Sequence, residues 1–278
     1  MKTYAIGDVH GRADLLEKML SHIEGENVFD PTGYRVIFLG DIIDRGPESK
    51  EAMDLVIGEL RTRPASRLVL GNHEEFLLLF LDRPDKRDMV FDHWMLNGGA
   101  AAAASYGLDV ERRYPRIEDA HEMLVHLLLA NPAHIEAMRT AAALIREDDY
   151  VFVHAGLRPG VAIEKQTTKD LRTIRTDFLR SNCDFGPIVV HGHTVTTSRL
   201  PEIYDNRIAL DTVAGASSGL SALGIEDDGT RFFLQASAGN KVRIAEPLDL
   251  RSDQTRLWSA KSRRRFPEVA TSSSAPIH

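Results

Sequence analysis

The stretch Gly40-Asp41-Ile42-Ile43-Asp44-Arg45-Gly46 sets two carboxylates and a guanidinium at the end of an apolar run, Val36 to Leu39. That run reads as a buried strand, and open α/β sheets place ligands at the carboxyl ends of their strands. Two acids so close repel each other in apolar surroundings. A cation beside them relieves the repulsion, and a divalent metal is the candidate. The remaining ligands must come from elsewhere in the chain.

Similar endings recur. Thr3 to Ile6 runs into Gly7-Asp8-Val9-His10-Gly11. Asp8 and His10 lie two residues apart, so in extended chain they point the same way. A hard oxygen and a borderline nitrogen can share one cation, and the flanking glycines let the backbone turn and approach it closely. Leu68 to Leu70 ends in Gly71-Asn72-His73-Glu74, Tyr150 to Val153 in His154-Ala155-Gly156, and Ile188 to Val190 in His191-Gly192-His193-Thr194. Any one of these histidines could be a hydrogen-bonded core residue. The same placement five times, at a strand end beside glycine, points instead to a metal site. Mixed nitrogen and oxygen ligation suits Mn²⁺, Fe or Zn²⁺ better than Ca²⁺; Mn²⁺ is the expected ion.

Helices must carry the chain from strand to strand. Leu15, Leu16, Met19, Leu20 and Ile23 fall at helical spacing within Arg12 to Ile23. Pro47 opens a second helix with Ala52, Leu55, Val56 and Leu60 on its apolar face. These strand–helix–strand units should connect right-handedly. From Phe76 to Asp149 the pattern is mostly helical, over Phe76 to Leu81, Met89 to Leu96, Ala100 to Ala104, His121 to Leu129 and Pro132 to Ile145, punctuated by Asn97-Gly98-Gly99 and Tyr106-Gly107. This region reads as a cap inserted near the site, either choosing substrates or serving as an inert appendage. Thr168 to Leu179 predicts a helix carrying Arg172 and Arg175. Short alternating strands follow at Arg207 to Leu210, Ser221 to Ile225, Arg231 to Gln235 and Val242 to Ala245, with a hairpin turn at Asp227-Asp228-Gly229. The expectation is an α/β fold: one catalytic domain over 1–250, a helical insertion over about 76–149, and a flexible basic tail over 251–278.

The 278 residues are 43% hydrophobic and 27% charged, ordinary for a soluble globular protein. The tail from Arg251 holds six basic and two acidic residues, so the net charge of -7 divides into about +4 there and about -11 elsewhere. An acidic body argues against general nucleic-acid binding. With one cysteine, Cys183, no intrachain disulfide can form, and nothing near it marks a nucleophile. The N-terminus runs straight into a motif, leaving no room for a signal peptide, and no apolar run approaches the roughly 20 residues of a membrane span. The expected location is the cytoplasm, with no membrane partner.

The motifs GDxHG, GDxxDRG and GNHE, in that order and followed by His154-Ala155-Gly156 and Gly192-His193-Thr194, resemble those of the metallophosphoesterase superfamily. The likeness is greatest to its phosphoprotein phosphatase branch of bacterial type, over about residues 1–235. The resemblance implies a layered β-sandwich with flanking helices and two divalent ions. Asp8 and His10 would hold the first, Asp41 would bridge both, and Asn72, His154 and His193 would complete the second. It implies His73 as the acid that protonates the leaving oxygen, with Asp44 orienting it. Arg45 would fork onto the phosphate. Arg175 would be a second phosphate arginine, although Thr173 stands where relatives often have Trp. His191 would support a ligand from behind. Glu74 would orient a neighbour or simply favour the start of its helix.

The activity so implied is hydrolysis of phosphomonoesters by a metal-activated hydroxide, first of all phosphoserine and phosphothreonine on proteins, or else a phosphorylated small molecule. The alternatives are a symmetrical diadenosine tetraphosphate hydrolase, a tyrosine or dual-specificity phosphatase, and an inactive phosphoprotein-binding scaffold. The dinucleotide hydrolases commonly continue GNHD, so Glu74 favours the protein phosphatase. The scaffold is disfavoured because no ligand or acid is missing.

Overall fold

Alternation along two parallel strands decides the layering. β1 (Lys2–Ile6) and β2 (Tyr34–Phe38) pair with Tyr4 opposite Val36 and Ile6 opposite Phe38. These four side chains face one core, while Ala5 and Ile37 between them face another, as the two-residue period of a strand requires. The computed structural model describes residues 1–212, 219–239 and 241–251.

Helices α1 (Ala13–Glu26) and α2 (Ser49–Thr62) make the crossovers expected from their apolar spacing. β3 (Arg67–Leu68) follows, then α3 (Asn72–Asp82), α4 (Arg87–Trp94), a π-helical turn over Met95–Gly99, α5 (Ala100–Ser105), α6 (Ile117–Leu129) and α7 (Pro132–Thr140). The chain then enters β4 (Leu144–Glu147) and β5 (Tyr150–Val153), the short helices α8 (Thr168–Thr173) and α9 (Thr176–Leu179), and β6 (Ile188–His191). Strands β7 (Glu202–Ile203), β8 (Arg207–Ala209), β9 (Leu220–Ile225), β10 (Arg231–Ala236), β11 (Arg243–Ile244) and β12 (Leu248–Asp249) complete two mixed six-stranded sheets. Their orders are β11-β10-β9-β1-β2-β3 and β12-β7-β8-β6-β5-β4.

The sheets pack face to face through Ala5, Ile37, Leu39 and Val69 on one side and Phe152, Val190, Ile208 and Leu210 on the other. Outside the first sheet lie α1 and α2. Outside the second lie α8 and α9, whose Leu171 and Phe178 cover Val151, Val153 and Val189. The expected α/β sandwich with flanking helices is therefore present. The carboxyl ends of β1, β2, β3, β5 and β6 open on the same edge, where the glycine-flanked motifs gather.

Three local expectations fail for tertiary reasons. The helix predicted over Pro132 to Ile145 stops at Thr140, because Leu144 and Ile145 pair with Val153 and Phe152 as an edge strand. Sheet pairing outweighs the helical propensity of an Ala-rich run. The helix over Thr168 to Leu179 breaks at Ile174 and Arg175, where ψ leaves the helical range. The third strand is shorter than Leu68 to Leu70, and Val69 instead bridges Ala142. The tail expected to be flexible lies, beyond Arg251, outside the described residues.

The helices after α3 do not form a separate body. Leu77, Phe80, Trp94, Ala103, Leu124, Leu128 and Met138 share one core with Leu16 of α1, Val56 of α2 and Tyr4 of β1. Replacing the fully buried Leu128 by Ala should therefore cost about 2–5 kcal/mol and shift one cooperative urea transition. A separate early transition of the helical region would contradict the shared core.

Candidate metal centre and active site

The backbone at the strand ends is unusual. His10, Asp41, Asp44, Arg45 and His193 all have φ between 47° and 74°, a region that non-glycine residues rarely occupy. Only Asp148 and Arg199 share it among the other described non-glycine residues. Such conformations cost on the order of 1–3 kcal/mol each and persist where surrounding bonds over-determine them.

Those bonds start at Glu74, on the first turn of α3. Its carboxylate is fully buried. One oxygen accepts the N–H groups of Ile42 (2.7 Å) and Ile43 (3.2 Å); the other accepts those of Asp41 (2.8 Å) and Gly71 (3.1 Å). The loop after β2 is thereby pinned to the loop after β3. It is zipped in turn to the loop after β1, since the Asp41 carbonyl accepts from Val9 and His10, and Gly46 N–H donates to the His10 carbonyl. Asp8 ties in the second sheet by accepting the His193 N–H at 3.0 and 3.2 Å.

Two groups of side chains converge within this frame. His10, Asp41 and His73 bring ligand atoms within 4.8 Å of one another, and so do Asp41, His154 and His193. Asp41 belongs to both. Asp8 lies beside the first group, 4.0 Å from His10 Nε2, and the Asn72 amide oxygen beside the second, 3.1 Å from His154 Nε2. The six expected ligands are therefore gathered in one place, although the first group also draws in His73.

Tautomers are set from behind. A carbonyl only accepts, so His10 Nδ1 donates to Ile43 (3.1 Å) and His154 Nδ1 to Leu39 (2.8 Å). In both rings Nε2 then presents its lone pair to the cluster, the orientation that metal-ligating imidazoles need. Burial drives His10 down to about 3 and His193 down to about 2, so both are neutral donors. Burial, then Asp211 and Asp41, push Asp8 well above the usual carboxylate range. Burial alone would raise Asp41 too, but His154 and His73 hold it well below that range. Burial likewise lowers the His154 pKa, but Asp41 and the Leu39 carbonyl outweigh it and raise the value. Crowded acids facing imidazoles form a donor set that a divalent cation fits.

Beside the first group stands a buried relay. His73 Nδ1 donates to Asp44 at 2.6 Å. Asp44 also accepts from the Trp94 indole, 3.0 and 2.8 Å from its two oxygens, and its own N–H donates to the Ser49 hydroxyl. Burial lowers the His73 pKa, but Asp41 and Asp44 outweigh it and raise the value; Arg45 opposes them. Arg45 donates to His10 Nε2 at 2.9 Å and to His73 Nε2 at 3.2 Å. Its own N–H is held by the Gly98 carbonyl at 3.0 Å. Gly98 has φ 108°, and a Cβ there would collide with Arg45.

The other two predicted residues sit differently. Arg175 is exposed at the break between α8 and α9, with Nη1 3.4 Å from the Thr194 hydroxyl, at the edge of the second group. His191 points away: its Nδ1 donates to the Gly192 carbonyl and its ring packs on Phe178 at 5.0 Å. It belongs to the core behind the strand end. Sequence reasoning missed Trp94 and Gly98 because their partners, Asp44 and Arg45, lie some fifty residues away. A glycine pair four residues after Trp94 was the available signal.

A profile of calcineurin-like phosphoesterases matches residues 1–211. The chain belongs to the calcineurin-like phosphoesterase family. Membership in this family implies divalent metals, in keeping with the two ligand groups. Of the family's characterised members, a symmetrical bis(5'-nucleosyl)-tetraphosphatase of Methylococcus capsulatus is 32% identical over 162 residues, 57% of this chain and 44% of the relative. The matched stretch thus spans under half the length of that relative. Among solved structures, a candidate diadenosine tetraphosphatase superposes with a TM-score of 0.53 at 20% identity, covering 86% of this chain and 95% of the other. A cold-active protein-tyrosine phosphatase from a Shewanella gives 0.54 at 16%, covering 88% and 80%. Identities so low establish the fold alone.

Among the described residues, no helix is long and apolar enough to cross a membrane.

Two substitutions probe the frame. Glu74→Gln keeps the volume but turns a donor toward backbone donors, so it should lower stability by about 2–3 kcal/mol in urea titrations and depress turnover further. Trp94→Phe removes the indole bond to buried Asp44 and leaves a small cavity, so urea titration should show a stability loss of about 1–3 kcal/mol, and turnover of the protein still folded should fall about tenfold as His73 loses its brace. Added Mn²⁺ should raise the thermal midpoint, since a ligand at a hundred times its dissociation constant adds about 2.7 kcal/mol. In Asp41→Asn that rise should vanish, because both groups lose their shared ligand.

Proposed function

We propose that this chain is a hydrolase of symmetrical dinucleoside tetraphosphates, with diadenosine tetraphosphate as the reference substrate. One water would add across the central P–O–P bridge, releasing two nucleoside diphosphates. The observation that carries the reading is the 32% identity to a symmetrical bis(5'-nucleosyl)-tetraphosphatase. This reverses the order expected from the motifs, in which Glu74 favoured a protein phosphatase. Both Glu74 oxygens are consumed by backbone N–H groups, so the residue meets no substrate and carries no vote. Nothing supports a protein substrate beyond shared fold.

In this reading Asp8, His10, Asp41, Asn72, His154 and His193 hold two divalent ions, with Mn²⁺ the first to test. When bound, such ions lower the pKa of a shared water and polarise the phosphoryl oxygens. Arg45 offers a planar pair of N–H donors to the phosphate, and Arg175 a second cation at the far edge. Leaving His10 and His73 for the phosphate frees His73 Nε2 to carry the proton given to the departing oxygen. Asp44 and Trp94 keep that ring in register.

The departing diphosphate is a far weaker base than a serine alkoxide, so it needs less help from an acid. His73→Asn should therefore cut hydrolysis of an alkyl phosphate by about 10²–10⁴-fold and that of the dinucleotide by less. The deciding assay compares diadenosine tetraphosphate with phosphoserine, phosphothreonine and phosphotyrosine peptides in Mn²⁺. ADP should be the sole nucleotide product, at a kcat/KM well above that for any peptide. Faster release from a peptide, or ATP with AMP as products, would refute the assignment.

A further inference from the structure

Helix α4 has two working faces. The inward one carries Trp94, fully buried, to Asp44. The outward one carries Met89 and His93, and Leu96, in the π-helical turn that follows, continues their i, i+4, i+7 spacing. Met89 is 65% and Leu96 87% exposed, and His93 is exposed as well. The stripe runs about 10 Å along the helix at 1.5 Å per residue. It ends at the π-helical turn, a distortion frequent at functional sites, whose Gly98 carbonyl holds Arg45.

The stripe is joined to the relay by one ring. Half-buried Phe76 meets the His73 imidazole edge to face at 6.3 Å and the His93 imidazole at 4.9 Å. Phe76 and His93 thus form a lip beginning at the ring assigned to protonate the leaving group, with exposed Leu96 three residues farther along the chain. Asn97 steadies its end by donating to the His93 carbonyl at 2.7 Å.

We propose that this lip receives the nucleoside of the departing nucleoside diphosphate, a purine base stacking on the His93 and Phe76 rings with Leu96 beneath its ribose edge. This rests on the dinucleotide reading above and names where the substrate's non-reacting part lies. Two observations select a nucleoside over a peptide. The backbone N–H groups of α4 are spent within the helix, so the lip offers no hydrogen-bonding edge for an extended chain. It offers instead two aromatic rings leading away from His73 and an exposed aliphatic side chain beyond them, which suit a planar base.

The test is binding, so that it does not depend on turnover. ADP and inorganic pyrophosphate, which differ by the nucleoside, are titrated calorimetrically into the Mn²⁺-loaded full chain and into His93→Ala, Leu96→Ser and the double variant. Both positions are exposed, so the variants should fold. The unaltered protein should bind ADP at least tenfold more tightly than pyrophosphate, and the double variant should lose most of that difference while pyrophosphate binding stays within about twofold. A difference that survives in the double variant overturns the lip. If ADP discrimination tracks the lip but diadenosine tetraphosphate is not cleaved to ADP, the nucleoside site stands and the reaction assignment falls.

Discussion

A single buried carboxylate holds the site together. Glu74 accepts four backbone N–H groups from two loops that come from adjacent strands. Without it, those donors would be buried unpaired, each a cost of about 1–3 kcal/mol. With it, Asp41, Asp44 and Arg45 are kept in left-handed backbone, and that backbone aims their side chains inward. Burial and Asp41 raise the Glu74 pKa, while the N–H cradle and the start of α3 favour its charged form. The charge is therefore part of the scaffold.

Asp41 occupies the point where this scaffold meets the second sheet. Its carboxylate lies 3.3 Å from His154 and 3.8 Å from both His10 and His73. His154 follows β5 in the second sheet, while His10 follows β1 and His73 opens α3 after β3 in the first. The two sheets are thus joined at the site by charge and by the Asp8 carboxylate under His193, and farther back by the apolar layer between them. An arrangement spread over five strand ends stays rigid because each end is fastened to a neighbour.

Much of this was legible in the sequence because it is local. A strand ending in Gly-Asp-x-His or Gly-Asn-His marks where candidate ligands gather, and the resemblance of those motifs to a known family supplied the expected roles of the six ligands, His73, Asp44 and Arg45. What was not legible depends on long-range pairing. Leu144 and Ile145 look helical until β5 is there to pair with them. Arg175 looks like one more residue on a helix until the chain breaks beneath it. Glu74 was noticed, but its partners lie some thirty residues back, and so its role in substrate choice was misjudged. Trp94 reads as core by its hydrophobicity, and it is core; its indole nitrogen also finishes the relay.

The division of labour on α4 follows from the same geometry. In the proposed reading the inner ring of acids and imidazoles meets only a phosphoryl group and divalent cations, and these are common to phosphomonoesters and phosphoanhydrides. Its residues therefore cannot separate a phosphopeptide from a dinucleotide, which is why motif reading alone ranked the two classes on Glu74. Discrimination must fall to groups that meet the substrate beyond the scissile phosphorus. Helix α4, packed on α3, is positioned for this, because Trp94 fixes Asp44 from its inner face while His93 beside it, and Leu96 in the following π-helical turn, face solvent. A change on the outer face can alter which substrate is held without disturbing the inner hydrogen bonds. A change on the inner face alters chemistry for every substrate alike. In the proposed reading, specificity is set on the outer surface of the same helix whose Trp94 braces Asp44.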